Sequence, residues 1–203
     1  LARAVDLEQF VAHYQPVIEI ATRRIVGAEA LIRWQHPERG LLGPNVFIPL
    51  AEETGLIGAL GEWILDRACR DLVAWREAFP AAADFTMSVN LSVQQLHDPG
   101  IVNTVEETLV RTGLPADRLV LEVTESTLIT DTERIRATME ELRRLGARLA
   151  VDDFGTGYSS LGYIQQFEFD VLKIDKSFVD ALETHTNRRV ISAVLELARQ
   201  LDV

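Results

Sequence analysis

Apolar and polar positions along the chain switch between a period near 3.6 and a period near 2, and the switches mark out helices and strands in turn. Residues 14–19 and 25–33 read as β runs separated by the polar Thr22-Arg23-Arg24, an opening hairpin. A helical stretch follows, with Leu65, Ala68, Leu72 and Trp75 at helical spacing and Phe79-Pro80 ending the pattern. Residues 85–91 form the next strand, and 101–112 the next helix, stopped by Gly113 and Pro115. Residues 119–123 are again β-like. Thr130 and Glu133 have capping-box spacing ahead of Ile135, Met139 and Leu142, and Gly146 sits where a left-handed helix stop belongs. Two short strands, 148–153 and 171–175, precede a last apolar helical face of Ile191, Val194, Leu195 and Ala198.

Alternation of this kind predicts an α/β fold with a parallel sheet and crossover helices. Polar residues decide between an open and a closed sheet. Glu29, Asn90, Glu122, Asp152 and Lys173 each fall toward the C-terminal end of a different predicted strand, where a (β/α) barrel gathers its site. An open doubly wound sheet more often begins with a Gly-rich turn, and neither G-x-G-x-x-G nor a P-loop occurs. The expected fold is therefore a TIM-like (β/α) barrel. Six strands are predicted where a closed barrel uses eight in about 250 residues, so two βα units are expected to lie beyond this sequence.

Composition narrows the function classes. With 47% hydrophobic and 25% charged residues over 203 positions the chain is globular, and no apolar run approaches the roughly 20 residues of a membrane-spanning helix. Twenty Lys and Arg against 31 Asp and Glu leave a net charge of -11, which repels DNA and RNA polymers and anionic membranes. A phosphate-bearing ligand then needs cations. The one cysteine, Cys69, has no intramolecular partner, which favours a reducing, cytoplasmic setting and a buried structural thiol. The sequence starts at Leu1 without a signal segment and stops after a helical pattern, so it is expected to be one domain, 1–203, cut from a longer multidomain protein.

The strand-end set has a definite chemistry. Glu29, Glu122, Asp152, Asp153 and the amide of Asn90 offer oxygen donors, which suit Mg²⁺ or Mn²⁺ rather than a metal that prefers thiolate or imidazole. His13, His36, His97 and His185 are scattered, without H-x-H or H-E-x-x-H spacing. Turn capping accounts for a single Asp before Gly155; the Asp152-Asp153 pair, with three further strand-end ligands, points instead to cations between the carboxylates.

Several longer stretches resemble an EAL domain: Glu29-Ala30-Leu31-Ile32-Arg33-Trp34, Phe47-Ile48-Pro49, Glu52-Glu53-Thr54-Gly55, Ser88-Val89-Asn90-Leu91-Ser92, Glu122-Val123-Thr124-Glu125-Ser126, Asp152-Asp153-Phe154-Gly155-Thr156-Gly157-Tyr158-Ser159-Ser160-Leu161 and Leu172-Lys173-Ile174-Asp175. The stretch from Asp152 to Leu161 is highly specific, and together the motifs run from Tyr14-Gln15-Pro16 to Phe178-Val179. The resemblance implies a barrel with an opening antiparallel strand, whose active members hydrolyse cyclic di-GMP to linear pGpG with two Mg²⁺ or Mn²⁺ ions. It further implies that Glu29, Asn90, Glu122 and Asp152 hold one metal, and that Asp152 bridges to a second ion also held by Asp153. Lys173 then orients the attacking water, Arg33 contacts a ligand phosphate, Gln15 and Leu31 lie near a guanine, and Glu125 holds the double-aspartate loop. Phe47, Phe154, Trp63, Trp75 and the methionines are expected as core or loop anchors.

At its end the chain departs from the family pattern. EAL domains continue with a strand bearing a glutamate, often A-E-G-V-E, and later a Q-G-Y segment, neither of which occurs in this sequence. Two readings stay open: a phosphodiesterase whose activity belongs to the longer parent rather than to 1–203 alone, and a cyclic di-GMP receptor that binds without turnover. Intact metal ligands favour the first. An unrelated Mg²⁺ barrel enzyme has no reason to match the loop motif. The family also implies a homodimer, and sensory or GGDEF domains in a parent that is a candidate for membrane anchoring.

Overall fold

The structure is a computed structural model that describes residues 4, 7–129, 132–155, 167–180, 185–201 and 203. Strand β1 (Phe10–Glu19) runs antiparallel to β2 (Arg24–His36), and the short β3 (Gly40–Leu42) folds back on β2. Helices α1 (Pro44–Glu53) and α2 (Ile57–Ala78) lead to β4 (Thr86–Asn90), and α3 (Val93–His97) and α4 (Ile101–Thr112) to β5 (Leu119–Thr124). Then come α5 (Thr132–Arg144), β6 (Arg148–Phe154), β7 (Val171–Ile174), α6 (Lys176–Asp180) and α7 (His185–Gln200). The sheet order is β1-β2-β4-β5-β6-β7, and every pairing from β2 to β7 along it is parallel.

Strand polarity explains the two faces of this sheet. Met87, Val89, Leu119, Leu121, Val123, Leu149 and Val151 pack with Leu65, Ala68 and Leu72 of α2, Val105 and Leu109 of α4, and Ile135, Met139 and Leu142 of α5. The residues between them (Ser88, Val120, Glu122, Ala150) are buried on the opposite face. Crossover helices cover the first face, and the second is filled by the strands' own side chains, as in the interior of a (β/α) barrel. Burial of Cys69 in α2 pushes its thiol up to about 12, reinforced by Asp66, so it is an inert core side chain.

Helix ends follow local chemistry. Phe79 is extended (φ -129°, ψ 107°) because the following Pro80 disfavours helical backbone, and α2 stops there. Gly113 closes α4 in the left-handed region at φ 73°, its N–H reaching Leu109 O at 2.9 Å. Gly146 does the same after α5 at φ 95°. Thr130, half of the expected capping box, lies outside the described residues.

Four elements were not expected from the sequence, one of them the five-residue α6 that follows β7. The three-residue β3 is too short to show a period. Helix α1 carries Pro44 at its start and Pro49 inside, which reads as a break, yet Phe47 and Ala51 bury completely and hold it. Helix α3 has five residues and stands on a capping box between Ser92 and Gln95. Strand β1 also begins at Phe10, earlier than residue 14, because the Phe10 ring packs at 5.9 Å from Trp34 and 5.6 Å from Phe47 in a second, smaller core. Leu195 corrects the expected face of the last helix. It is 49% exposed, while Ile191, Val194 and Ala198 of that face are half-buried as expected, joined by Val190 and Leu197.

Candidate active site

Parallel register brings the strand-end residues into one place. Asn90 lies beside Glu122, Thr124 beside Asp152, and Glu29 beside Ser88, two residues below Asn90 on β4. One carboxylate oxygen from each of Glu29, Glu122 and Asp152 falls within 4.8 Å of the others. Lys173 on β7 reaches all three: its Nζ donates to Glu29 Oε2 at 3.1 Å, to Asp152 Oδ2 at 3.0 Å, and to Glu122 Oε2. Asn90 Nδ2 donates to Glu29 Oε1 at 2.9 Å. Four predicted site residues on four strands are thus in direct contact with the fifth or with one another.

One ammonium among three carboxylates leaves a net negative site. Burial pushes the Glu122 carboxyl above the usual range and the Glu29 carboxylate adds to that, while Lys173 and the Ser88 hydroxyl pull it back only in part. Burial alone would lower Lys173. The carboxylates of Glu122, Glu29 and Asp152 outweigh it and hold the amine well above the ordinary lysine range, so it stays charged.

The Asp152-Asp153 pair sits in a β-bulge. Val151 pairs with Leu172 and Phe154 with Ile174, so two residues of β6 face the single Lys173 of β7. Such a bulge re-aims side chains, and Asp153 takes up a left-handed φ of 55° with its N–H on Asp152 Oδ1 at 2.9 Å. Asp152 turns into the triad. Asp153 lies outside it, near Asp175; partial desolvation, then the Asp152 and Asp175 carboxylates, raise its carboxyl above the usual range. Glu125, in the 3-10 turn after β5, is buried and accepts from Gly155 N–H at 2.9 Å.

A cavity of about 580 Å³ opens beside the triad, between the ends of β2, β4 and β5 and helices α1, α2 and α3. Glu29, Leu31 and Asn90 line it. Gln15 is exposed on β1 directly across from Glu29, and the Arg33 guanidinium donates back to the Ile32 carbonyl at 2.9 Å; neither lines the cavity. Sequence reading assigned no role to Ile48, Pro49, Glu52, Thr124 or Ser126, which do line it. The signal was present, since each lies within one of the quoted motifs. Gln95 and Gly61 also line it, and only Gly61 leaves room for the Gln95 amide: a Cβ there would stand 1.9 Å from Gln95 Nε2.

The donor set fits a hard divalent cation. Its clustered members are carboxylate oxygens, buried at Glu122 and half-buried at Glu29 and Asp152, with the exposed Asn90 amide beside Glu29, and the position is one at which the fold already places a positive charge.

Proteins of known structure share this fold. A "PaMucR Phosphodiesterase, c-di-GMP complex" superposes with a TM-score of 0.93 at 41% identity, covering all of this chain and 81% of that one. The "EAL Enzyme Bd1971" in its cAMP and cyclic-di-GMP bound form gives 0.92 at 33% identity over all of this chain and 55% of that one. In sequence, the "Bifunctional diguanylate cyclase/cyclic di-GMP phosphodiesterase MucR" of Pseudomonas aeruginosa is 41% identical and an "Uncharacterized signaling protein" of Caulobacter vibrioides 46% identical, each over all of this chain. The chain spans 30% and 24% of the length of these two relatives, respectively. The fold is the TIM-like barrel of such domains, with the antiparallel β1 opening it. The family model for the EAL domain matches residues 1–203, and with its carboxylates and lysine gathered at the strand ends, the chain belongs to the EAL domain family.

Proposed function

We propose that this domain hydrolyses cyclic di-GMP to linear pGpG in bacterial second-messenger signalling, using two divalent ions, Mg²⁺ or Mn²⁺. The observation that carries the proposal is the meeting of Glu29, Glu122 and Asp152 around the Lys173 ammonium. Glu29, Asn90, Glu122 and Asp152 hold one ion, and Asp152 with Asp153 the second. When bound, the pair supplies Lewis acidity and neutralises charge on the phosphodiester. Lys173, held charged by the carboxylates of the metal-free site, would orient the attacking water by donating a hydrogen bond to it.

Arg33 contacts a ligand phosphate after releasing the Ile32 carbonyl, and Leu31 with Gln15 flanks a guanine at the mouth of the cavity. Glu125 keeps the double-aspartate turn in place through Gly155. Among the described residues no helix is long and apolar enough to cross a membrane. We place the domain in the cytoplasm, as one unit (1–203) of a homodimeric multidomain protein with sensory or GGDEF domains, whose parent is a candidate for membrane anchoring.

The test is to follow cyclic di-GMP and pGpG by chromatography with the natural protein that contains this chain, in Mg²⁺, in Mn²⁺ and in chelator. Metal-dependent pGpG formation is expected, lost in Lys173→Ala. Tight binding of cyclic di-GMP without turnover would make the domain a receptor, and absence of binding would overturn both readings.

A further inference from the structure

Gly155 is gripped from two sides. Its N–H is held by Glu125 Oε2 at 2.9 Å, and against its Cα lies the edge of the Phe178 ring, so close that a Cβ would stand 2.8 Å from Cε2 and 3.1 Å from Cζ. The backbone at Gly155 is left-handed (φ 99°), as it is at Asp153 (φ 55°). A non-glycine residue holds such a conformation only where its surroundings over-determine it, and the neighbouring glycine is the residue with the widest freedom to let it go.

Both grips come from elements that also deliver site residues. Glu125 follows Glu122 off the end of β5, and Phe178 follows Lys173 off the end of β7. The short segment between Lys173 and Phe178 is itself tied down. Asp175 N–H meets the Phe154 carbonyl at 3.4 Å, Phe178 N–H meets the Asp175 carbonyl at 3.2 Å, and the Asp175 carboxylate accepts from Ser177 N–H at 2.9 Å and from the Ser177 hydroxyl. The ring is therefore fixed relative to Lys173, and Gly155 relative to the ring.

We propose that Phe178 is a positioning residue: by packing on Gly155 it holds the Asp152-Asp153 bulge at its working distance from Lys173 and the other carboxylates. This inference rests on the metal-dependent phosphodiesterase reading for its consequence. The contact itself is independent of that reading. Phe178 is neither a member of the carboxylate cluster nor a lining residue of the cavity, and it acts through the turn.

The experiment uses Phe178→Ala in the full protein, below its unfolding transition. Amide exchange in the segment 152–155 should accelerate in the metal-free protein while β4 keeps its protection. Mn²⁺ affinity by calorimetry should fall about tenfold, the size seen when outer partners of metal ligands are removed. Turnover should fall with KM for cyclic di-GMP within about twofold, since the cavity is untouched. Phe178→Tyr, which retains the ring edge, should restore all three. Gly155→Ala should reproduce the loss, and less than additively in the Phe178→Ala background, where the ring no longer opposes the new Cβ. Phe178→Leu replaces Phe178→Ala where the latter does not fold. Wild-type exchange and Mn²⁺ affinity in a folded Phe178→Ala or Phe178→Leu protein would overturn the proposal. A wild-type protein that neither binds Mn²⁺ nor forms pGpG would overturn the phosphodiesterase reading, and the exchange measurement would still decide whether Phe178 holds the turn.

Discussion

Lys173 and Asp152 face each other across a β-bulge, with Nζ 3.0 Å from Oδ2, because β6 spends two residues where β7 spends one. That extra residue lets Asp152 turn into the Glu29 and Glu122 cluster while its neighbour Asp153 is carried toward Asp175. The ammonium partly offsets the three carboxylates of the metal-free site.

Removing that cation gives the first prediction. Lys173→Met should destabilise the metal-free protein by about 2 kcal/mol at neutral pH, less than the roughly 3–5 kcal/mol for breaking a fully buried pair, because Lys173, Glu29 and Asp152 are part-exposed. Without the lysine the Glu122 carboxyl, already raised by burial and the Glu29 carboxylate, rises further above its unfolded value. A raised carboxyl stabilises below the unfolded pKa, and this is lost as pH climbs through the folded one, so the deficit should shrink on acidification. Urea unfolding at about pH 7.5 and about pH 5 measures it. A deficit that is absent at neutral pH, or that grows in acid, would contradict the ion-pair account.

Asp152→Asn keeps volume and shape but removes the charge that two ions are proposed to share. Calorimetric titration with Mg²⁺ or Mn²⁺ should show affinity falling more than about 100-fold, beyond the range for an outer partner, and pGpG formation should vanish with it. Equal affinity in the folded variant would place the metals elsewhere.

For Arg33→Ala, cyclic di-GMP binding should weaken by about 1.5–3 kcal/mol, roughly 10- to 150-fold, the value of a charge-assisted contact, while Mn²⁺ binding changes by less than about twofold. The guanidinium has to give up the Ile32 carbonyl to reach a phosphate, a small cost beside that gain. Unchanged affinity for the dinucleotide would remove Arg33 from the site.

Gly61 sets two effects of opposite sign against each other. Alanine in a helix interior is favoured over glycine by about 1 kcal/mol, yet here the Cβ would lie 1.9 Å from Gln95 Nε2 and 2.7 Å from its Cδ. Gln95 would have to shift, breaking the bond its Oε1 accepts from Ser92 N–H, one half of the capping box that starts α3. Overpacking costs about 1–3 kcal/mol and the lost half of the box adds to it, so Gly61→Ala should destabilise on balance. In a Gln95→Ala background the same change should turn neutral or stabilising, as thermal unfolding would show.

Local sequence was enough for much of this protein. The order of the strands, the limits of α4 and the stops at Phe79, Gly113 and Gly146 were legible because periodicity, proline and glycine act over a few residues. So was the donor set, since Asn90, Glu122, Asp152 and Lys173 each fall in the C-terminal part of a strand of one parallel sheet, with Glu29 beside them although β2 runs on past it to His36. Tertiary packing decided the rest. The proline-bearing α1 exists because Phe47 and Ala51 bury against Phe10, far away in sequence. Leu195 is exposed because what packs on a helix, not its own pattern, chooses among adjacent apolar rows. The division of labour between Asp152 and Asp153, invisible in two identical adjacent letters, comes from a register mismatch between two strands. Register is a property of a pair of strands, and a single stretch of sequence does not contain it.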